Sequence, residues 1–144
     1  MATTGVAPVK QALVAALREN LALKAMVGSD GINEGSEPRN VSYPYVVYSI
    51  THAYREWDST NMTIVTDVDV WSISDSQVEA HTLDQLVADS LEDKVLNFES
   101  GSGQTSLSCR RIGDLSSLDI DGAGTKIFQM CGIYRVWSDQ TRTA

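Results

Sequence analysis

The sequence predicts an α+β fold: a single antiparallel β-sheet with two main helices packed on one face. Three observations predict it. Tyr43–Tyr54 and Met62–Ile73 are dense in β-branched and aromatic residues, and a short polar turn joins them, which makes an antiparallel pair. The stretch that follows carries an apolar stripe at helical spacing. Strands and helices then mix without a strict βαβ rhythm. At 144 residues the chain has the size of one domain. We therefore take 1–144 as a single domain, with 1–7 and 139–144 flexible.

The elements follow in order. The opening MATTGVAP reads as a loose arm. Pro8 suits the first turn of a helix because its missing N–H would be unpaired there anyway. Val9, Leu13, Ala16 and Leu17 form a stripe, with Val14 and Leu21 on its flank. This gives a helix over Pro8–Asn20 and a second short one over Leu21–Val27, ended by Gly28. Residues 28–42 are polar and rich in Gly, Ser, Asn and Glu, so they form a loop, with Ile32 as a candidate short edge strand. Pro44 opens the first long strand, where it need not donate to a ladder.

Along Met62–Ile73 one face shows Met62, Ile64, Thr66, Val68 and Val70. The other shows Thr63, Val65, Asp67, Asp69, Trp71 and Ile73. Ser74 or Asp75 caps the next helix, which runs to about Leu96. Its inner stripe is Ala80, Leu83, Val87 and Leu91; its outer face carries Asp75, Glu79, Asp89, Glu92 and Asp93. Thr105–Ile112 is a strand, Gly113–Thr125 a loop and Lys126–Ser138 the last long strand. The tail after it is polar and frayed.

Both faces of this sheet carry large apolar groups. Trp71, Ile73, Tyr48, Ile50, Ile133 and Trp137 cannot all share a side with Val68, Val70, Phe128, Met130 and Val136. A water-facing antiparallel sheet should read polar on one side. Either an oligomer buries the second face or the 28–42 loop forms a third layer. The oligomer is the first expectation, since aromatic groups favour interface cores.

Charge narrows the function. The chain has 11 basic and 19 acidic residues, a net charge of −8. The whole excess lies in 61–100, where nine acids face a single Lys94. That argues against adhesion to DNA or to anionic lipid. No apolar run reaches the roughly 18 residues of a membrane-spanning helix. The N-terminus lacks the pattern of a secretory signal.

Chemistry is sparse. Cys109 and Cys131 have no CxxC spacing and read as buried thiols. His52 and His81 lack a ligand partner at a metal spacing. Asp67 and Asp69 share one side of a strand, as a metal site or carboxylate pair would require, but no third ligand is evident. The sequence around Asp119–Gly122 fails the calcium-loop pattern and reads as a turn. The glycine pairs at 101–103 and 122–124 do not extend into a phosphate cradle. Arg110–Arg111 reads as a solvated pair. We expect no catalytic residue, no cofactor and no metal.

Five stretches in order resemble a known family. They are VKQALVAALRENLALKAMVG; GINEG followed by YPYVVYSI; TIVTDVDVWSIS; SQVEAHTLDQLVADSLED; and CRRIGDL with IFQMCGIYRVWS. Together they span most of residues 9–138. The pattern is similar to the tail terminator, or tail completion, proteins of long-tailed bacteriophages. Pro44, Tyr45, Asp69, Trp71, Gly113, Asp114 and Trp137 sit where that pattern places similar residues.

The resemblance implies a structural virion protein that forms a homohexameric ring on the finished tail tube. Such a ring ends polymerisation at the head-proximal end and offers a surface to the head–tail connector protein. Its partners would be itself, the tail tube protein and the connector, with DNA passing through without specific binding and no membrane. Assembly would occur in the host cytoplasm. The candidate subunit-interface or lumen residues are Asp67, Asp69, Trp71, Arg135 and Trp137. The alternatives are another head–tail connector or tube component, or a small ligand-binding or enzymatic domain using Asp67, Asp69 and His52.

Overall fold

The computed structural model describes residues 6–28, 31–35, 43–57, 61–94, 104–120 and 122–141. The elements are α1 (Val6–Glu19), α2 (Leu21–Val27), β1 (Ile32–Glu34), β2 (Tyr45–Trp57), β3 (Asn61–Ser74), α3 (Gln77–Leu91), β4 (Gln104–Ile120) and β5 (Lys126–Thr141). The five strands form one sheet in the order β1-β2-β3-β5-β4. All neighbours pair antiparallel except β1, which pairs parallel with β2 through Ile32 opposite Val46. The sheet is therefore mixed rather than purely antiparallel. A parallel neighbour normally needs a long crossover. β1 is only three residues long, so the return to β2 need cover little length.

The three helices bury their apolar stripes against one sheet face. Val9, Ala12, Leu13 and Leu17 of α1, Leu23 of α2, and Leu83, Val87 and Leu91 of α3 pack with Val46, Tyr48, Val68, Val70, Tyr134 and Val136. Leu21, expected beside the α1 stripe, instead points to water. Asn20 joins the helices. Its side chain accepts from the Leu23 N–H at 3.1 Å as the α2 cap. It also donates to the Leu86 carbonyl and the Ser90 hydroxyl of α3.

Four expected boundaries move. The cap of α3 is Ser76, whose hydroxyl accepts from the Glu79 N–H, while Glu79 accepts from Ser74. The helix ends at Leu91 rather than near Leu96. Asp93 takes a left-handed φ of 55°, and Lys94 bridges to Cys109 of β4. The largest correction concerns β4. Residues 113–120, expected as loop, continue the strand, because each pairs with β5 down to Ile120 opposite Lys126. β5 likewise runs past Ser138 to Thr141. Of the expected polar loop 28–42, residues 29–30 and 36–42 lie outside the described residues, as does most of the turn expected at 97–104.

Candidate functional site

The face of the sheet away from the helices is built by strand alternation. In β3 the residues opposite to Val68 and Val70 are Val65, Asp67, Asp69, Trp71 and Ile73. Register then brings β2 and β5 neighbours beside them. Val47 and Cys131 flank Trp71, Ser49 and Ile133 flank Asp69, His52 and Arg135 flank Asp67, and Tyr54 and Trp137 flank Val65. The five candidate residues Asp67, Asp69, Trp71, Arg135 and Trp137 thus share this one surface.

The surface has three zones. One end is apolar: Tyr45, Ile73 and Ile127 are buried in a cluster with Tyr43, Val47 and Trp71. The Tyr43 and Tyr45 rings stack with centroids 5.6 Å apart. The middle is charged. The far end is aromatic again, with Trp137 beside Val65 and Tyr54. Tyr48 and Ile50, expected on this second face, are corrected. They lie in the helix-covered core, and Tyr45 and Val47 take their place. The parity of one strand relative to another depends on pairing register, which the sequence of a single strand does not state.

In the middle zone Arg135 grips Asp67 with both arms of its guanidinium. Its Nε donates to Oδ1 at 2.8 Å and its Nη2 to Oδ2 at 3.0 Å. Such fork-to-fork pairs fix geometry as well as charge. The hydrogen bond to Asp67 raises the Arg135 pKa. Both Asp67 oxygens are engaged, and among the described residues no group of three His, Cys, Asp or Glu is placed to hold a metal ion. His52, exposed, lies opposite Asp67 with its ring 5.3 Å from that of Tyr54. His81 is exposed on α3.

Asp69 differs from Asp67. Burial first, then the neighbouring Asp67 charge, raises its carboxyl pKa above the ordinary 3.8. Its proton is held more tightly in the folded chain than in the unfolded one. Stability linked to it is full below pH 3.8 and is lost as pH rises through the higher folded-state value. Asp69→Asn should therefore raise the melting midpoint at pH 7 and leave it unchanged near pH 3. Thermal melts at the two pH values check this.

A second polar cluster was not foreseen. Arg111, expected to be solvated, is largely buried between β4 and α3. Its Nη1 donates to the Tyr134 hydroxyl at 2.9 Å and its Nη2 to Asp84 Oδ2 at 2.9 Å, and it also pairs with Asp114. Its charge lies 5.5 Å from the centre of the Tyr134 ring. Burial works against the Arg111 charge, yet the bonds to Asp84 and Asp114 outweigh it and raise its pKa. Burial likewise raises the Tyr134 hydroxyl. Gly132 makes room for this cluster, since a Cβ there would stand 2.7 Å from the Tyr134 ring. The missed signal is Asp84 itself. It falls between Ala80 and Val87 on the inner stripe of α3, and a carboxylate there requires a cation.

The cysteines sit on opposite faces, Cys109 in the helix-covered core and Cys131 on the open side. Burial pushes each thiol up to about 12. They are buried, as expected, and are not a facing pair. The acidic groups also separate. The exposed carboxylates of α3 lie on the helix layer, while Asp67 and Asp69 face the other way.

This arrangement defines a class: a two-layer α+β fold with one face sealed by helices and the other aromatic and charge-paired. The sequence matches the family described as Tail completion protein gp17 over residues 11–122, most of the chain, and the chain belongs to that family. Among solved structures, a chain of the virion of the native gene transfer agent particle is similar over 94% of this chain and 99% of its own. Their identity is 18% and the TM-score 0.71. The bacteriophage SPP1 gp17 protein is similar over 94% of this chain and 91% of its own, at 24% identity and a TM-score of 0.43. No curated protein sequence matches.

Proposed function

We propose that this chain forms a homohexameric ring at the head-proximal end of a phage tail tube. The ring ends tube polymerisation and presents a surface to the head–tail connector protein. The observation that carries this reading is membership of the tail completion family across both layers of the fold. The open sheet face supports it. Trp71 and Trp137, only partly buried on it, give it the aromatic character of an interface core. We assign Asp67, Asp69, Trp71, Arg135 and Trp137 to contacts with neighbours or to the lining of the hole. DNA passes through without being held, since a net charge of −8 repels phosphate. The finished ring stays in the virion after assembly in the host cytoplasm.

Adding the purified protein to polymerising tube subunits of the same particle tests the proposal. The expected result is short tubes with a cap at one end in negative stain. Tubes of unchanged length with bare ends would refute it.

A further inference from the structure

The two outer edges of the sheet are each half blocked and half free. On β4 the blocked half is the N-terminal one. Irregular pairing between Ser106 and Ser108 and between Arg111 and Gly113 twists it. The Cys109 N–H is taken by the Lys94 carbonyl at 2.9 Å. Natural sheets protect their edges with such bulges and covers. From Asp114 to Ile120 β4 has no bulge, and no strand among the described residues pairs with its outer side. It has no Lys or Pro, its ladder to β5 is regular, and Leu115, Leu118 and Ile120 are 50%, 57% and 62% exposed.

On β2 the pattern is reversed. β1 covers Val46–Tyr48, at the N-terminal end. Among the described residues no strand pairs with the outer side of β2 beyond that point. Residues 51–56 are all exposed, on both faces.

These free halves match each other. Strand directions alternate from β2 through β3 and β5 to β4, so β2 and β4 run in opposite senses. Two copies placed side by side in the same orientation bring β4 of one antiparallel to β2 of the next. The free stretches lie at diagonally opposite corners, so the copies must stagger. A closed sheet requires such a stagger and tilt. The charges also suit. Asp114–Ile120 carries Asp114 and Asp119 and no cation, whereas His52–Trp57 carries the cation Arg55 beside a single acid, Glu56.

We propose that subunits join edge to edge, with Asp114–Ile120 of one copy pairing antiparallel with His52–Trp57 of the next. The contact uses two different patches, and such head-to-tail contacts make a ring when the rotation from copy to copy closes. It rests on the ring reading above and names the seam of that ring.

Proline substitutions test the seam. On β4 the N–H groups that point away from β5 alternate from Cys109 through the residues opposite Tyr134, Gly132 and Met130, so Ser116 is one of them. The Ile120 N–H, bonded to its neighbour Asp119, fits the same phase. On β2 the outward series runs from Val46, which donates to Gly31, to Ala53. Proline is tolerated where an edge N–H faces solvent. Ser116→Pro and Ala53→Pro should each keep the helical dichroism signal. In sedimentation at rising concentration the wild type should assemble and each variant alone should stay monomeric. A mixture of the two should stop at a dimer, because each variant keeps one working edge.

Should either proline unfold its chain, Leu118→Asp and Arg55→Asp take the same roles through exposed side chains. Wild-type-like assembly by any one variant, or a mixture without dimer, overturns the seam. Restoration of uniform tails by the wild-type gene, in a particle lacking its own copy, is scored in parallel. If tails are restored but the mixture forms no dimer, the ring stands and the seam fails. If tails are not restored, the ring reading falls and takes the seam with it.

Discussion

Arg111→Ala should cost about 3 kcal/mol of stability, because it leaves Asp84 charged and enclosed without its cation. The Arg111 and Asp84 side chains are only 14% and 15% exposed, so water replaces the lost partner poorly. Asp84 Oδ1 already has no hydrogen-bond partner, and the variant would strand its second oxygen as well. The Tyr134 hydroxyl, buried, would lose its donor too. Urea unfolding measures the loss. The double variant Asp84→Leu with Arg111→Met should recover most of it, because apolar groups of similar volume often replace a buried pair without penalty. A single variant that costs less than about 0.5 kcal/mol would place this pair among surface ion pairs.

Leu83→Ala should cost a similar amount by a different route. Leu83 is fully enclosed in the cluster that joins the helices to the sheet, where no solvent can fill the space its side chain vacates. Large-to-small changes at such sites cost 2–5 kcal/mol, so we expect about 3 kcal/mol and a melting midpoint lower by roughly 10 °C. The neighbouring Val78→Ala, on the exposed side of α3, is the control and should change the midpoint little. Equal effects of the two substitutions would contradict the assignment of the inner stripe.

The helices were legible because their signals are local. Pro8, the Val9–Leu13–Leu17 stripe and Gly28 fix α1 and α2 to within two residues. The β2–β3 pair was legible because both strands are apolar and aromatic with a short turn between them. The second half of β4 was not. Gly113, Asp114, Ser116, Ser117 and Asp119 have weak strand preference, and their conformation is imposed by the ladder to β5. The short parallel strand was marked only by Ile32, and its direction depends on how the chain returns.

The candidate surface was partly legible for the same reasons. Alternation within β3 places Asp67, Asp69 and Trp71 together without reference to any partner strand. That Arg135 meets Asp67, and that Trp137 completes the far end, follow from the β3–β5 register. The positions of Tyr48 and Ile50 depend on register in the same way, which is why they were assigned to the wrong face. Sequence adjacency groups Arg111 with Arg110 as a solvated pair, whereas strand alternation sends the two side chains to opposite faces. Arg110 is exposed and Arg111 meets Asp84.

We propose above that this chain ends tail growth. Deleting its gene from the particle that encodes it, and measuring tail length by electron microscopy, tests this most directly. The expected result is tails of variable and excessive length that fail to join heads. Tails of normal, uniform length attached to filled heads would contradict it.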